Sequence, residues 1–145
     1  MPHHRLSQFI KRALVAALVS VSFTALFVAC SAGVRTPEQV LEEQVRTFHG
    51  HLRWGRVEEA ASFVAPEHRE VFLGMYDEYG EDYEVTEYEI ENINYQRGAE
   101  NAEVVVWMQW FRLPSTRVQD ATYNETWEYN MLSRVWQLVG READD

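Results

Sequence analysis

The residues able to do chemistry in this chain are few, and histidine is the first of them. His49-Gly50-His51 has the composition of a chelating pair. On a helix, however, side chains two positions apart point about 200° away from each other, so the two imidazoles cannot share a metal, and zinc sites need three or four converging ligands. His68, in Glu67-His68-Arg69-Glu70, reads as a solvated side chain. Asp77 to Glu91 holds eight acids and no base. Its Asp77–Asp82 run lacks the alternating oxygen ligands and terminal glutamate of a calcium loop. Glu87, Glu89 and Glu91 share strand parity, the pattern of a solvated face. Lys11 is the only lysine, so Schiff-base chemistry and a Ser-Lys dyad are excluded beyond it. No metal, cofactor or catalytic constellation is predicted. Trp107-Met108-Gln109-Trp110-Phe111 reads first as core packing, because buried aromatics dominate small cores. Its functional alternative is that one strand face forms a dimer or partner interface, where Trp and Met are enriched.

The remaining reactive group is Cys30, the only cysteine, which excludes an intramolecular disulfide. It is placed by a leader. Arg5, Lys11 and Arg12 form a basic stretch without acids, and Ala13–Ala29 follows as 17 residues without a charge. That is the pattern of an export signal, and it is short of the roughly 20 apolar residues of a permanent span. The run ends Phe27-Val28-Ala29-Cys30, which resembles the lipobox of bacterial lipoproteins, although the family usually has leucine where Phe27 stands. The resemblance implies cleavage before Cys30, a diacylglycerol on its sulfur and acylation of its amine. Two or more acyl chains anchor a protein stably, whereas one does so only marginally. Ser31, in place of aspartate, resembles lipoproteins sent to the periplasmic side of the outer membrane, in organisms that have one. The domain boundaries that follow are a signal peptide 1–29, a lipidated tether 30–35, a folded domain 36–139 and an acidic tail 140–145.

Removal of residues 1–29 leaves 116, enough for one domain. Ten arginines then face 23 acids, a net charge of −13. Nucleic acid is excluded as a partner, because phosphate binding needs a basic footprint. The same charge repels anionic head groups within a Debye length of about 8 Å, so the body of the domain is expected to stand off the bilayer.

The elements that must position these residues follow from period and punctuation. Thr36-Pro37-Glu38-Gln39 is a helix start, with Thr36 as cap, Pro37 at the first position and Gln39 completing a capping box. Val40, Leu41, Val45, Phe48 and Leu52 continue at helical spacing to a stop at Trp54-Gly55. Arg56–Val64 is a short second helix with Val57, Ala60, Ala61 and Val64 inward. Pro66–Tyr79 is a third, with Val71, Phe72, Met75, Tyr76 and Tyr79 inward, closed by Gly80. The period then changes to two. In Tyr83–Tyr95 the apolar alternation slips from Val85 to Tyr88 and again from Ile90 to Ile93, which predicts bulges and a bent strand. Ala102–Leu113 places Val104, Val106, Met108 and Trp110 on one face and Val105, Trp107 and Phe111 on the other, so it is expected to be covered on both. Thr116–Asn130 and Val135–Val139 complete a meander, and the tail from Gly140 is expected to fray. Asp120 shares parity with Thr122, Asn124 and Thr126, a polar set expected to face water.

Helices followed by antiparallel strands form an α+β pattern. The stretch Trp54-Gly55-Arg56-Val57-Glu58-Glu59-Ala60-Ala61-Ser62-Phe63-Val64, with the closing Val135-Trp136-Gln137-Leu138-Val139, resembles the NTF2-like (cystatin-like) fold. That resemblance implies N-terminal helices packed as a cone on a bent antiparallel sheet of about four strands. It does not imply one function, since members include isomerases, dehydratases, transport factors and lipoproteins. The reading that results is an envelope lipoprotein with a non-catalytic domain. It would bind a protein partner or a second copy through the sheet face, or a small apolar ligand in the cone, with Trp107, Trp110, Phe111, Tyr76 and Tyr123 as candidate contacts. The runner-up is a small isomerase or dehydratase using a pocket Asp120, Tyr76, Tyr123 or His49. Replacement of Cys30 by serine is expected to abolish lipid labelling in the native cell and to leave the precursor uncut; unchanged labelling would refute the anchor.

Overall fold

The computed structural model describes residues 35–80 and 82–144. The expected signal peptide, the lipid site Cys30 and the tether up to Val34 lie outside them. Three helices precede four strands: α1 (Pro37–Arg53), α2 (Val57–Ala61), α3 (Arg69–Tyr79), β1 (Tyr83–Tyr95), β2 (Asn101–Arg112), β3 (Gln119–Asn130) and β4 (Val135–Ala143). The strands form one antiparallel sheet in sequence order, β1-β2-β3-β4. This is the expected α+β architecture with an open four-stranded sheet. Among the described residues no helix is long and apolar enough to cross a membrane.

The start of α1 is set by its capping box. The Gln39 amide donates to Thr36 Oγ1 at 3.3 Å, and the Thr36 amide donates to Gln39 Oε1 at 3.1 Å. Leu41, Val45, Phe48 and Leu52 bury one stripe against the sheet. The helix stops where Gly55 takes a left-handed conformation (φ 64°) that a side chain would disfavour. The third helix begins three residues later than its proline suggests. Pro66–His68 forms a turn, with the His68 amide donating to Ala65 O at 2.9 Å. Arg69 then reaches back to the carbonyls of Ala61 and Val64, at 2.9 and 3.0 Å. Only Phe72 and Tyr76 of α3 are fully buried, whereas Val71, expected inward, is 75% exposed. A narrower stripe suffices because α3 packs chiefly beside α2 and touches the strands little.

In β1, register shifts fall between Val85 and Glu87 and between Ile90 and Asn92. These are the two places where the apolar alternation slips. Each bulge restores the inward set, so Val85, Tyr88, Ile90, Ile93 and Tyr95 all pair with inward residues of β2. The second bulge falls at Glu91 and takes it out of the ladder, leaving Glu87 and Glu89 opposite Gln109 and Trp107 on the outer face. Val104, Val106 and Met108 are fully buried under the helices. Val105, Trp107 and Phe111 are half-buried on the outer face, where none of the described helices packs.

The last strand extends to Ala143, four residues past its expected end. A bulge opposite Thr126 and Trp127 inserts Val139 and reverses the parity of β4. The other edge of β4 is covered where Ala65 N donates to Leu138 O and Leu138 N donates to Phe63 O, both at 2.9 Å. At the start of β4, Trp136 is clamped to α1 twice: its amide donates to Gln44 Oε1 and its indole N–H to Pro37 O, each at 2.8 Å. Its ring is fully buried between Tyr95 and Tyr129. Trp136→Ala is therefore expected to cost about 3–5 kcal/mol, read as a drop in the denaturant midpoint, while Leu132→Ala on the neighbouring turn changes it little.

Candidate functional site

The inner faces of β3 and β4 and the facing side of α1 converge on one carboxylate. On β3 the inward residues are Tyr123, Glu125, Trp127 and Tyr129. Glu125, the only charged one, is fully buried. Its Oε2 accepts from Trp127 Nε1 at 3.1 Å and lies 3.2 Å from His49 Nε2. Its Oε1 lies 3.1 Å from His49 Nε2 and 3.3 Å from Arg141 Nε. The Oε1 approaches are off the hydrogen-bonding angle, so Arg141 meets Oε1 as a charge contact rather than through a hydrogen bond. Arg141 is the direct cross-strand partner of Glu125. Its guanidinium donates to the Tyr76 hydroxyl at 3.0 Å and stacks 4.0 Å from the centroid of the Tyr123 ring. His49 is held edge-on by Phe48 and face-on by Tyr88, with ring centroids 4.9 and 5.3 Å away.

The electrostatics follow from that packing. Burial alone would raise the Glu125 pKa. The facing His49 imidazole and its hydrogen bond, the Arg141 charge and the Trp127 N–H outweigh burial and hold the carboxyl below its ordinary value. Arg141 is held charged because Tyr76 and Glu125 offset its own desolvation. Burial pushes the Tyr76, Tyr83 and Tyr123 hydroxyls up, against the opposing pull of Arg141. The cluster is thus an ionised Glu125–Arg141 pair walled by neutral phenols.

Beyond Tyr123 the inner face opens into a hollow of about 280 Å³ lined by Tyr79, Tyr83, Trp110, Arg112, Gln119 and Tyr123. Tyr79 and Tyr83 stack at 4.8 Å, and the Arg112 guanidinium lies 5.7 Å from the Tyr79 centroid. This volume is just below the roughly 300–1,000 Å³ typical of ligand sites. A second hollow of about 240 Å³ lies between α3 and β4, with Val71, Phe72, Met75, Leu138 and Arg141 in its wall. Glu125 and His49 line neither. Among the described residues no three His, Cys, Asp or Glu side chains converge as metal ligands would.

No family model matches this chain, and no curated protein does either. Among solved structures, it is similar to the intermembrane space region of chloroplast protein ARC6, with a TM-score of 0.52. The two are 11% identical, over 76% of this chain and 98% of that one. A likeness at that identity is one of fold alone.

The candidate contacts are thus divided by the sheet. Trp110 and Tyr123 line the aromatic hollow, with Tyr76 buried behind them. Trp107 and Phe111 are on the opposite face. Asp120 is exposed opposite Gln109 on that outer face, away from His49 and both hollows. His49 does not pair with His51, which packs on Phe63 instead, and His68 is exposed. Glu125 and Arg141 are absent from the sequence-derived candidates. Glu125 carried a signal: it is the single charge at the odd-numbered, apolar positions of β3. Arg141 carried none, because only the bulge at Val139 turns it inward.

Breaking a buried pair on one side strands the other charge, so Glu125→Gln is expected to cost about 3–5 kcal/mol. Glu125→Gln/Arg141→Met should recover part of that loss. Because the folded carboxyl titrates below its ordinary value near 4.5, its contribution is complete above that pH and drains away as pH falls through the depressed value. Urea midpoints measured from pH 7 down to pH 3 should show that acid limb in the native chain and a flatter one in Glu125→Gln.

Proposed function

We propose that this chain is a lipid-anchored envelope protein whose NTF2-like domain binds a small apolar ligand in the aromatic hollow and performs no reaction on it. The observation that carries this reading is the disposition of Glu125. A general base must face its substrate and titrate near the working pH. Glu125 is ionised, spent on His49, Arg141 and Trp127, and outside both hollows. What does face the larger hollow is three tyrosines and a tryptophan, with Gln119 and Arg112 to orient a bound molecule. The ring faces would meet the apolar body of a ligand, while the phenol hydroxyls, Gln119 and Arg112 make about half of the lining polar.

The NTF2-like assignment is supported by the order of elements and by the two bulges that bend β1. It is supported further by the helical layer on the inner face. Anchoring is supported by the basic leader, the uncharged run and Cys30 at its end. The isomerase or dehydratase alternative has less to draw on, since Asp120 faces the other side and His49 is sealed in the core.

The uncharged fluorophore N-phenyl-naphthylamine is a suitable probe. It should bind the folded domain in a one-to-one complex, and Trp110→Ala should weaken it about tenfold or more, the equivalent of ~1.4 kcal/mol. Trp107→Ala on the outer face should leave binding unchanged. The reverse pattern would move the binding surface to the outer face and overturn this assignment.

A further inference from the structure

Among the described residues, nothing covers the apolar side chains of the β3–β4 turn. Leu132 is 98% exposed and Met131 67%, and Ser133 and Arg134 complete a tip without an acid. The tip is built rather than loose. Asn130 Oδ1 accepts from the amides of Leu132 and Ser133 at 3.0 and 3.1 Å, and Arg134 N donates to Asn130 O at 2.7 Å. Arg134 takes the left-handed conformation (φ 57°) that closes the turn. Two neighbouring apolar side chains are therefore held outward on a fixed scaffold, at a cost in exposed surface that nothing in the domain offsets.

The tip lies at the end of the domain where the chain enters it. Trp136, two residues past the turn, donates its indole N–H to Pro37 O at the first residue of α1. The chain enters the domain at that same end, since Arg35 and Thr36 immediately precede Pro37. Cys30 is five positions before Arg35, and five steps of at most about 3.6 Å span no more than roughly 18 Å. Of the other exposed apolar residues in turns, Trp54 ends α1, the end away from Pro37, and Leu113 and Val118 lie at the far end of β2. Twelve residues of strand separate the two ends, about 36 Å at the rise of a strand.

We infer that Met131 and Leu132 dip into the interface of the membrane that anchors Cys30. The inference rests on the lipid-anchored reading given above. Apolar side chains at such a boundary bury to a depth of about 5–10 Å, within reach of a two-residue tip. Arg134 at its base presents a cation to phosphate groups. The net charge of −13 on residues 30–145 keeps the rest of the body away, so contact is confined to this pole. The tether and the tip together give the domain two points of attachment and hence one orientation, with the aromatic hollow near Leu113 and Val118 facing away from the bilayer.

The test uses the full chain purified from membranes with its lipid attached. The diacylglycerol on the Cys30 sulfur leaves Leu132→Cys as the only free thiol, to be labelled with a nitrobenzoxadiazole fluorophore. In phosphatidylcholine vesicles carrying shallow nitroxide lipids, quenching at position 132 should exceed that at Val118→Cys by about threefold or more, given the depth expected of an interfacial side chain. Equal quenching at the two positions overturns the contact. A blue shift at 132 without nitroxide quenching, the sign of burial against protein, overturns it as well. The mass of the peptide carrying residue 30 separates the two readings. A bare thiol there removes the anchor and the contact together, whereas a lipidated Cys30 with an unquenched position 132 removes the contact alone.

Discussion

A carboxylate sealed between a helix and a sheet must be neutralised or the layers cannot close, and Glu125 is in that position. Its partners come from three places in the chain: His49 on α1, Trp127 two residues along β3, and Arg141 across the ladder on β4. Replacing such a group by a hydrocarbon is often neutral or stabilising, so the pair is not best understood as a source of stability. Its contribution is registry. Arg141 meets Glu125 only if β4 carries one extra residue, the bulge at Val139. A one-residue slip would turn Arg141 outward and leave Glu125 facing apolar surface.

The surrounding aromatics depend on that arrangement. Phe48 packs against Trp127 and Phe72 within 6 Å, and His49 beside it is fixed by Tyr88. Tyr76 is tied through Arg141 to the charge pair, and from Tyr76 the ring contacts continue to Tyr79 and Tyr83 at 5.5 and 5.9 Å. The walls of the aromatic hollow therefore rest on the charge cluster without being part of it. Phenols kept neutral by burial line the hollow with ring faces and hydroxyls rather than charge.

How much of this was legible in the sequence depends on whether local or non-local forces set each feature. The start of α1, its stop at Gly55 and both bulges of β1 are local: a capping box, a left-handed glycine and slips in alternation mark them residue by residue. The delayed start of α3 is not, because Arg69 reaching back to Ala61 and Val64 competes with the proline signal. The extension of β4 to Ala143 is set by Arg141 finding Glu125 across the sheet, a tertiary pairing stronger than the apparent fraying of an acidic tail. The same pairing explains why half of the buried cluster could not be named: the parity of β4 before Val139 points Arg141 the wrong way. Tyr76, Tyr123 and His49 could be named but not connected, since the group that connects them is Glu125.

The two exposed edges of the sheet are managed differently, and the difference bears on what can approach the domain. On β4 the Phe63–Ala65 segment bonds to Leu138 and blocks the edge beside the buried pair. Among the described residues no strand covers the edge of β1, but two bulges break its regularity and Glu84, Glu87 and Glu89 line the outer face beside it. Charge and irregularity on an edge strand oppose pairing with another strand. A second copy would set these glutamates against its own, so strand-to-strand dimerisation along β1 is disfavoured. The outer stripe of Val105, Trp107 and Phe111 is flanked by those carboxylates on one side and by Thr122 and Asn124 on the other. Any macromolecule docking there must bring positive charge to the rim. The inner hollow, whose only charged lining residue is the cation Arg112, imposes no such demand, and this asymmetry is why the small-ligand reading and the protein-partner reading belong to opposite faces of one sheet.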